Sequence, residues 1–408
     1  MKKYSLIVIL IVFTYNVSAQ NKVLNKFGKG IINIISQDSS FSMKLGLRVQ
    51  TLYTGSWNIN DTSGIDSGTS NFSIRRARIK LDGFVFTPKL EYKIEIGLAN
   101  RDIGKVDDRS GYAPRMVMDA IVKWNFYKNF TLWAGQTKLP GNRERVISSA
   151  NMQLVDRSIL NSEFNIDRDI GFQLRHEFTL GKQFLIREIF AFSQGEGRSN
   201  IQNNLGGYQY TGRLEFLPLG AFTKGGDYLG ADLSRESKPK LSIGISYDFN
   251  NNAVKDRSNQ GSYMTYDLDK NGDIDGYFKT DISTIFADLM FNYKGFSLMS
   301  EYAYRDAKQR DFSIMNDDST FSTAKVRTGS AFNVQAGYVF KKNWEIAARY
   351  TQVAPTVKGK SQYEQYTLGL SKYIVGHKLK VQADVGYMIT NGSPDRNLLC
   401  RLQLDLHF

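Results

Sequence analysis

The stretch FSIRRARIKLDGFVF, residues 72–86, decides the fold. From Arg76 onward its residues fall into two interleaved sets. Ala77, Ile79, Leu81, Gly83 and Val85 form one; Arg76, Arg78, Lys80 and Asp82 form the other. Strict period-two alternation marks a strand with two unlike faces. In a soluble sheet the charged face would meet bulk water. Three cations in succession raise the question of what else they meet.

The pattern recurs along the chain. FSMKLGLRVQTLY (41–53) sets Met43, Leu45, Leu47 and Val49 against Lys44, Arg48 and Gln50. KLEYKIEIGL (89–98) sets Tyr92, Ile94 and Ile96 against Glu91, Lys93 and Glu95. RDIGFQLRHEF, KLSIGISYDF and HKLKVQADVGYMI repeat it further on. Each run is about ten residues, the length a tilted strand needs to cross hydrocarbon. The connections alternate as well. Tight turns such as YKN (127–129), GK (181–182) and KG (294–295) take turns with long polar segments such as 54–71, 139–168 and 251–280. Short turns on one side and long loops on the other are expected of outer-membrane barrels. The connection 218–239 breaks the rule, because it should be short and is long.

The reading is therefore all-β: a transmembrane antiparallel β-barrel of about sixteen strands, with short periplasmic turns and long outer loops. No later segment approaches the roughly 18 apolar residues of a spanning helix, and only helices and closed barrels span lipid. Mean hydropathy is −0.36. The single cysteine, Cys400, excludes an intrachain disulfide. At the C-terminus, Leu398, Cys400, Leu402, Leu404, Leu406 and Phe408 alternate with Arg401, Gln403, Asp405 and His407. A last strand ending on an aromatic residue resembles the assembly signal of bacterial barrels.

MKKYSLIVILIVFTYNVSAQ opens the chain with two lysines, a short apolar run and small residues before Gln20. This reads as a secretory signal peptide over 1–19, followed by a periplasmic N-terminal segment over 20–40 and a barrel over 41–408. The formal net charge is +13. The basic residues are dispersed among apolar ones, which argues against a nucleic-acid binder. Only three histidines are present, at 176, 377 and 407, too scattered in the pattern to share one site. No nucleophile motif or phosphate-binding glycine loop occurs, so no enzyme is expected.

The stretches FSIRRARIKLDGFVFTPKLEYKIEIGLA (72–99), LWAGQTKLPGNRERVISSANMQLVDRS (132–158), RDIGFQL (168–174) and GRLEFLPLG (212–220) carry a family likeness. The chain resembles the phosphate-selective porin O/P family in its Bacteroidetes-type form. The likeness covers about 40–220 well; beyond that it rests on strand rhythm and the terminus. It implies a sixteen-stranded, usually trimeric outer-membrane porin. It also implies passive diffusion of small hydrophilic solutes, with phosphate-like anions passing an arginine- and lysine-lined pore. The expected partners are outer-membrane lipid, small anionic or hydrophilic solutes and further copies of the chain. The alternative from another class is a barrel with a structural or adhesive role in its outer loops.

In a barrel the charged set of 72–86 faces the lumen. Arg76, Arg78 and Lys80 then form a ladder, with Lys44 and Arg48 on the neighbouring strand. Such charges concentrate anions and offset their dehydration. The other reading is a mixed wall of paired charges, since Asp82, Glu91, Glu95 and Asp119 share the face. Segment 139–168 is too long and too apolar to wave in solvent. Either it folds into the lumen, carrying Arg143, Arg145 and Arg157 toward the solute path, or it packs outside as a lid. In DLDKNGDIDGYF (267–278), Asp267, Asp269, Asn271, Asp273 and Asp275 fall at the alternate positions of an EF-hand-type loop, with Gly272 sixth. Phe278 stands where the bidentate Glu belongs. The loop either takes Ca2+ in a structural role or is a solvated acidic tip; no cofactor is required.

Overall fold

The computed structural model describes residues 27–28, 30–60, 64–66, 68–104, 109, 115–200 and 202–408. The signal peptide lies outside the described residues. Sixteen long strands follow one another. The first eight are β1 Phe41–Asn60, β2 Thr69–Val85, β3 Thr87–Gly97, β4 Val117–Tyr127, β5 Phe130–Lys138, β6 Arg168–Leu180, β7 Phe184–Ser193 and β8 Gln209–Leu217. The others are β9 Lys240–Ala253, β10 Thr280–Tyr293, β11 Phe296–Ala307, β12 Gly329–Val339, β13 Trp344–Pro355, β14 Tyr363–Tyr373, β15 Leu379–Thr390 and β16 Asp395–His407. Each pairs antiparallel with its neighbours. β1 pairs with β16 from Arg48↔His407 to Asn60↔Asp395, which closes the cylinder and removes its edges.

The alternation in the sequence becomes an inside and an outside. On β9, Ser242, Ser246 and Asp248 are 0% exposed, whereas Ile245 and Tyr247 are about half exposed. Exposed apolar side chains here are the lipid face, flanked by aromatic side chains toward both ends. Trp124, Phe126, Tyr127 and Phe130 cluster at one end. Tyr350 and Tyr366 pair at the other, with ring centroids 5.1 Å apart.

The end with short turns, where the chain enters β1, is the periplasmic side. A short strand, Ile32–Ile35, pairs there with Ser42–Leu45 of β1. Leu47 exchanges backbone hydrogen bonds with Phe408, and Ile31 N–H donates to the Leu45 carbonyl at 2.7 Å. The short strand thus continues the line of β16 below the C-terminus and covers the lower edge of β1.

Segment 139–167 enters the lumen and crosses to the far wall. Leu139, Leu160, Phe164 and Ile166 pack with Ala191, Phe286, Ala303, Ala331 and Val353 of the strands. Arg48 donates to Ser149 Oγ at 2.7 Å, Lys380 to the Met152 carbonyl at 2.7 Å, and Arg305 to the Phe164 carbonyl at 2.6 Å. The external lid is therefore excluded. The reason is the segment's own apolar side chains, which find burial only against the inner wall.

The long connection 218–239 has the same explanation from below. It rises into the barrel from the periplasmic side and meets the outer loop. Gly230 N–H donates to the Asn151 carbonyl at 2.7 Å, and Arg143 Nη1 donates to the Asp227 carbonyl at 3.1 Å. Tyr228 Oη donates to Glu215 at 2.7 Å. Ala231 packs with Val339 and Tyr373. Loop and insertion together fill the lumen beside β8–β15.

Two predictions concern this insertion. His377, in the β14–β15 turn, hydrogen-bonds through Nε2 to the Gly230 carbonyl at 2.8 Å, so Nε2 carries the proton. Tyr373 packs edge-on to the ring at 5.3 Å. Burial first, then Lys380 and Lys378, hold the imidazole neutral with its pKa well below the usual 6.5. A histidine depressed in this way contributes stability that is whole above its unfolded pKa and is lost as pH falls through the folded value. Docking of 218–239 is expected to be constant down to about pH 6.5 and to weaken below it. Protease nicking of that segment in the folded barrel measures this. The same acid response in His377→Gln, which keeps a donor without the titration, would refute it.

Gly230 has no room for a side chain, since a Cβ would lie 2.6 Å from the Gln153 nitrogen and 2.8 Å from the Asn151 oxygen. Gly230→Val is expected to push insertion and loop apart at a cost of about 1–3 kcal/mol. Single-channel conductance should change while the barrel stays heat-modifiable.

Candidate functional site

Between the outer loop and the β2–β6 wall lies a cavity of about 690 Å³. Its lining carries thirteen arginines and lysines against six aspartates and glutamates, among the described residues. A second cavity of about 830 Å³ lies toward the outer ends of β1, β2 and β16, lined by Thr54, Asn71, Ser73 and Leu399. The two share Arg75, Arg101 and Asp156, which stand as the partition between them.

The opening stretch supplies much of this wall. Gln50 pairs with Arg76 but Thr51 pairs with Ile74, so Arg75 is the extra residue of a β-bulge. A bulge re-aims side chains, and Arg75 and Arg76 are both buried inward although they are adjacent in sequence. Alternation alone assigns Arg75 to lipid. The Arg-Arg pair was the available signal, because a guanidinium has no stable place in hydrocarbon.

The expected site residues separate into three groups. Arg76, Arg78 and Arg145 line the cationic cavity of about 690 Å³, together with Arg157. Lys44 and Lys80 face the lumen nearer the periplasmic end and are half-buried; Lys80 pairs with Asp82 at 2.9 Å. Arg48 and Arg143 lie off the cavity. Arg48 is clamped on Asp405 at 2.7 Å and on Ser149. Arg143, with no exposure, lies against Asp288 at 2.9 Å and Glu215 at 3.2 Å. Both hold the infolded loop to the wall.

Paired and unpaired cations alternate around the cavity. Arg78 meets Asp102 at 2.5 Å and Glu95 at 2.7 Å. Arg168 meets Asp119 at 2.8 Å, and Lys93 also pairs with Asp119. Asp156, on the infolded loop, pairs with Arg75 and lies 3.6 Å from Arg101 and 3.7 Å from Arg401. By contrast, Arg76 donates to the amide oxygen of Gln50. Lys138 donates to the carbonyls of Arg145 and Ile147, and Arg157 to those of Glu144 and Ile147. Arg198 donates to the Asp102 and Arg115 carbonyls. None of these four has an ion-paired carboxylate among the described residues. Burial lowers Arg157 to about 10: Glu144 and Asp156 oppose the fall, Arg168 and Arg78 add to it. Burial, followed by Arg157, Arg168 and Arg76, lowers Arg145 well below the usual range. Crowded guanidiniums disfavour one another's charge, and an entering anion relieves that.

Lys138, Arg168, Arg175, Arg198 and Lys255 also line the cavity but were not singled out from the sequence. Lys138 and Arg168 come from strand ends, Arg175 from the middle of β6, and Arg198 and Lys255 from separate outer loops, and no local spacing links them. Arg175 stacks on Trp133 at 3.8 Å, where indole and guanidinium face the lumen together.

The acidic loop brings Asp267, Asp269 and Asp275 together, with one oxygen of each within 4.8 Å of the others. Asn271 instead donates to Asp269 at 2.9 Å and accepts from Asp273 N–H at 2.7 Å. Asp273 lies outside the carboxylate group. Phe278 packs with Phe312, ring centroids 5.0 Å apart. Three side-chain oxygens are half or fewer of the six to eight that Ca2+ takes.

Comparison with known proteins agrees with this architecture. The family model of phosphate-selective porins O and P matches residues 43–397. An anion-selective porin from Comamonas acidovorans has a similar fold, with TM-score 0.52 at 11% identity over 90% of this chain and 100% of that one. The outer membrane channel DcaP of Acinetobacter baumannii gives TM-score 0.52 at 11% identity, over 92% and 99%. An uncharacterized protein of Aquifex aeolicus is 23% identical over 336 residues, 76% of this chain and 74% of its own. With sixteen strands closed around a charged lumen and the family model matched over nearly all of them, the chain belongs to the phosphate-selective porin O and P family of outer-membrane channels.

Proposed function

We propose that this outer-membrane porin prefers anions and that phosphate-like anions cross it along the β2–β6 wall. The observation that carries the reading is the excess of seven cations around the cavity on that wall, where four cations have no carboxylate partner among the described residues. In a narrow lumen with low-dielectric walls, such charges raise the local anion concentration and replace part of the hydration shell. Arginine holds phosphate oxygens in a two-pronged fork. Below the cavity, Lys80 and Lys123 are half-buried and reach the lumen, each beside a carboxylate, Asp82 at 2.9 Å and Glu91 at 3.4 Å, so the wall toward the periplasm is mixed in charge. The chain is exported through a cleaved signal peptide over 1–19 and works as a homo-oligomer, a trimer on the family likeness.

Arg76→Glu with Arg78→Glu is expected to move the zero-current potential in a salt gradient toward cation preference. The backbone ladder that closes the barrel is untouched, so a conducting channel should remain. The wild-type preference should weaken as salt rises, because the Debye length is about 10 Å at 0.1 M and shorter above it. An unchanged potential in a folded double variant would remove these arginines from the path.

Asp156→Asn makes the complementary test. It removes the one carboxylate of the partition between the cavities and leaves Arg75 and Arg101 uncompensated there, while Arg401 keeps Asp384 at 2.6 Å. The zero-current potential should shift further toward anion preference. A shift toward cations would contradict the proposed path.

A further inference from the structure

The cationic cavity looks inward; a second cationic surface looks outward at the periplasmic end. Seven connections close the barrel there, and each carries lysine at its tip or in the first residues beyond it. Lys89, Lys128, Lys182, Lys294, Lys341 and Lys342 are all exposed. The insertion and the last turn bring Lys224 and Lys378. The carboxylates of these connections are Asp227, Asp232 and Glu236, and all three are buried within the insertion. The outer side has no such bias: the 251–279 connection alone carries Asp256, Asp267, Asp269, Asp273 and Asp275.

The depth of this ring is set by its apolar neighbours. Phe86, at a turn tip, is 85% exposed, and Ile374 and Val375 in the last turn are about half exposed. Side chains of this kind at the tips place the turns at the membrane interface and not out in aqueous periplasm. The lysines are set among the aromatic girdle. The ammonium of Lys128 lies 5.0 Å from the Tyr127 ring, that of Lys294 5.1 Å from Tyr293, and that of Lys372 5.2 Å from Trp344. Lysine over an interfacial aromatic ring holds its charge at headgroup level with its stem along apolar surface.

We propose that this ring binds the phosphate groups of anionic phospholipids in the inner leaflet, so that the barrel collects a belt of such lipids at its periplasmic rim. Zwitterionic headgroups present the same phosphate with a cancelling cation and gain less from the ring. The surface is separate from the lumen and acts whatever the solute that passes.

The test uses the folded full-length protein in detergent. Phosphatidylglycerol and phosphatidylcholine with the same acyl chains are titrated in, and bound lipids are counted by native mass spectrometry. Phosphatidylglycerol should bind at least about tenfold more tightly, and added salt should reduce the difference. The preference should be lost when Lys128→Asn and Lys294→Asn are combined with Lys182→Gln, Lys341→Gln and Lys342→Gln. Asparagine is used at 128 and 294 because both residues have positive φ, 44° and 49°. Arginine at the same five positions should keep the preference, and conductance should be unchanged in both variants. Equal binding of the two lipids by the unaltered protein would overturn the proposal without recourse to any variant. So would a preference that survives in the folded five-site variant. Displacement of the lipid by free glycerol phosphate at equal concentration would identify the ring as a site for soluble phosphate esters and overturn the assignment to lipid.

Discussion

Four side chains with almost no solvent contact hold the lumen together. Arg143 of the infolded loop and Arg213 of β8 share Asp288 of β10 and Glu215 of β8, with contacts of 2.7–3.2 Å. Taking these charges out of water is costly, and their mutual pairing with further hydrogen bonds offsets it. Arg213 also donates to the Gly141 carbonyl at 3.0 Å and Arg143 to Ser242 at 2.9 Å. Removing any one member strands the others, a loss of about 3–5 kcal/mol for a buried pair. Loop, insertion and wall meet at this cluster, so the position of everything else in the lumen depends on it.

The consequence is an asymmetric barrel. Beside β8–β15 the inner wall is covered by the loop and the insertion, and residues such as Thr284, Asn333, Glu345 and Lys380 have lost contact with solvent. Beside β2–β6 the wall is left to the cavity. A cylinder wide enough for sixteen strands would otherwise hold a broad aqueous channel. Filling one side narrows the path and presses it against one set of side chains. Confinement gives those side chains their influence, since a charge acts strongly on a solute that cannot stay a Debye length away.

This division separates stability from selectivity. The barrel is closed by backbone hydrogen bonds and the lipid face by apolar side chains, so neither depends on which polar residues line the lumen. Cations beside the cavity can remain unpaired because the structure around them is held by other groups. On the filled side the requirement is the opposite: every buried charge there must find a partner, and the arginines on that side are anchors.

The sequence by itself determined the barrel. Period-two alternation in ten-residue runs, short and long connections in turn, and the alternating C-terminus require a closed sheet in lipid, because no other arrangement satisfies both the apolar faces and the backbone. The inward direction of Arg76, Arg78, Lys80, Lys44 and Arg48 follows from the same parity. Which of them reach the cavity does not. Arg48 and Arg143 became anchors because carboxylates hundreds or scores of residues away, Asp405 and Asp288, lie opposite them in the closed cylinder. Arg75 turned inward through a one-residue bulge that parity cannot register. The 218–239 connection was visible as an anomaly in length, but its place under the outer loop was set by contacts such as Gly230 with Asn151. Lys138, Arg157, Arg198 and Lys255 converge from separate segments with no shared spacing. Local pattern fixes which way a side chain points; only closure of the barrel and infolding of the two segments decide what it meets.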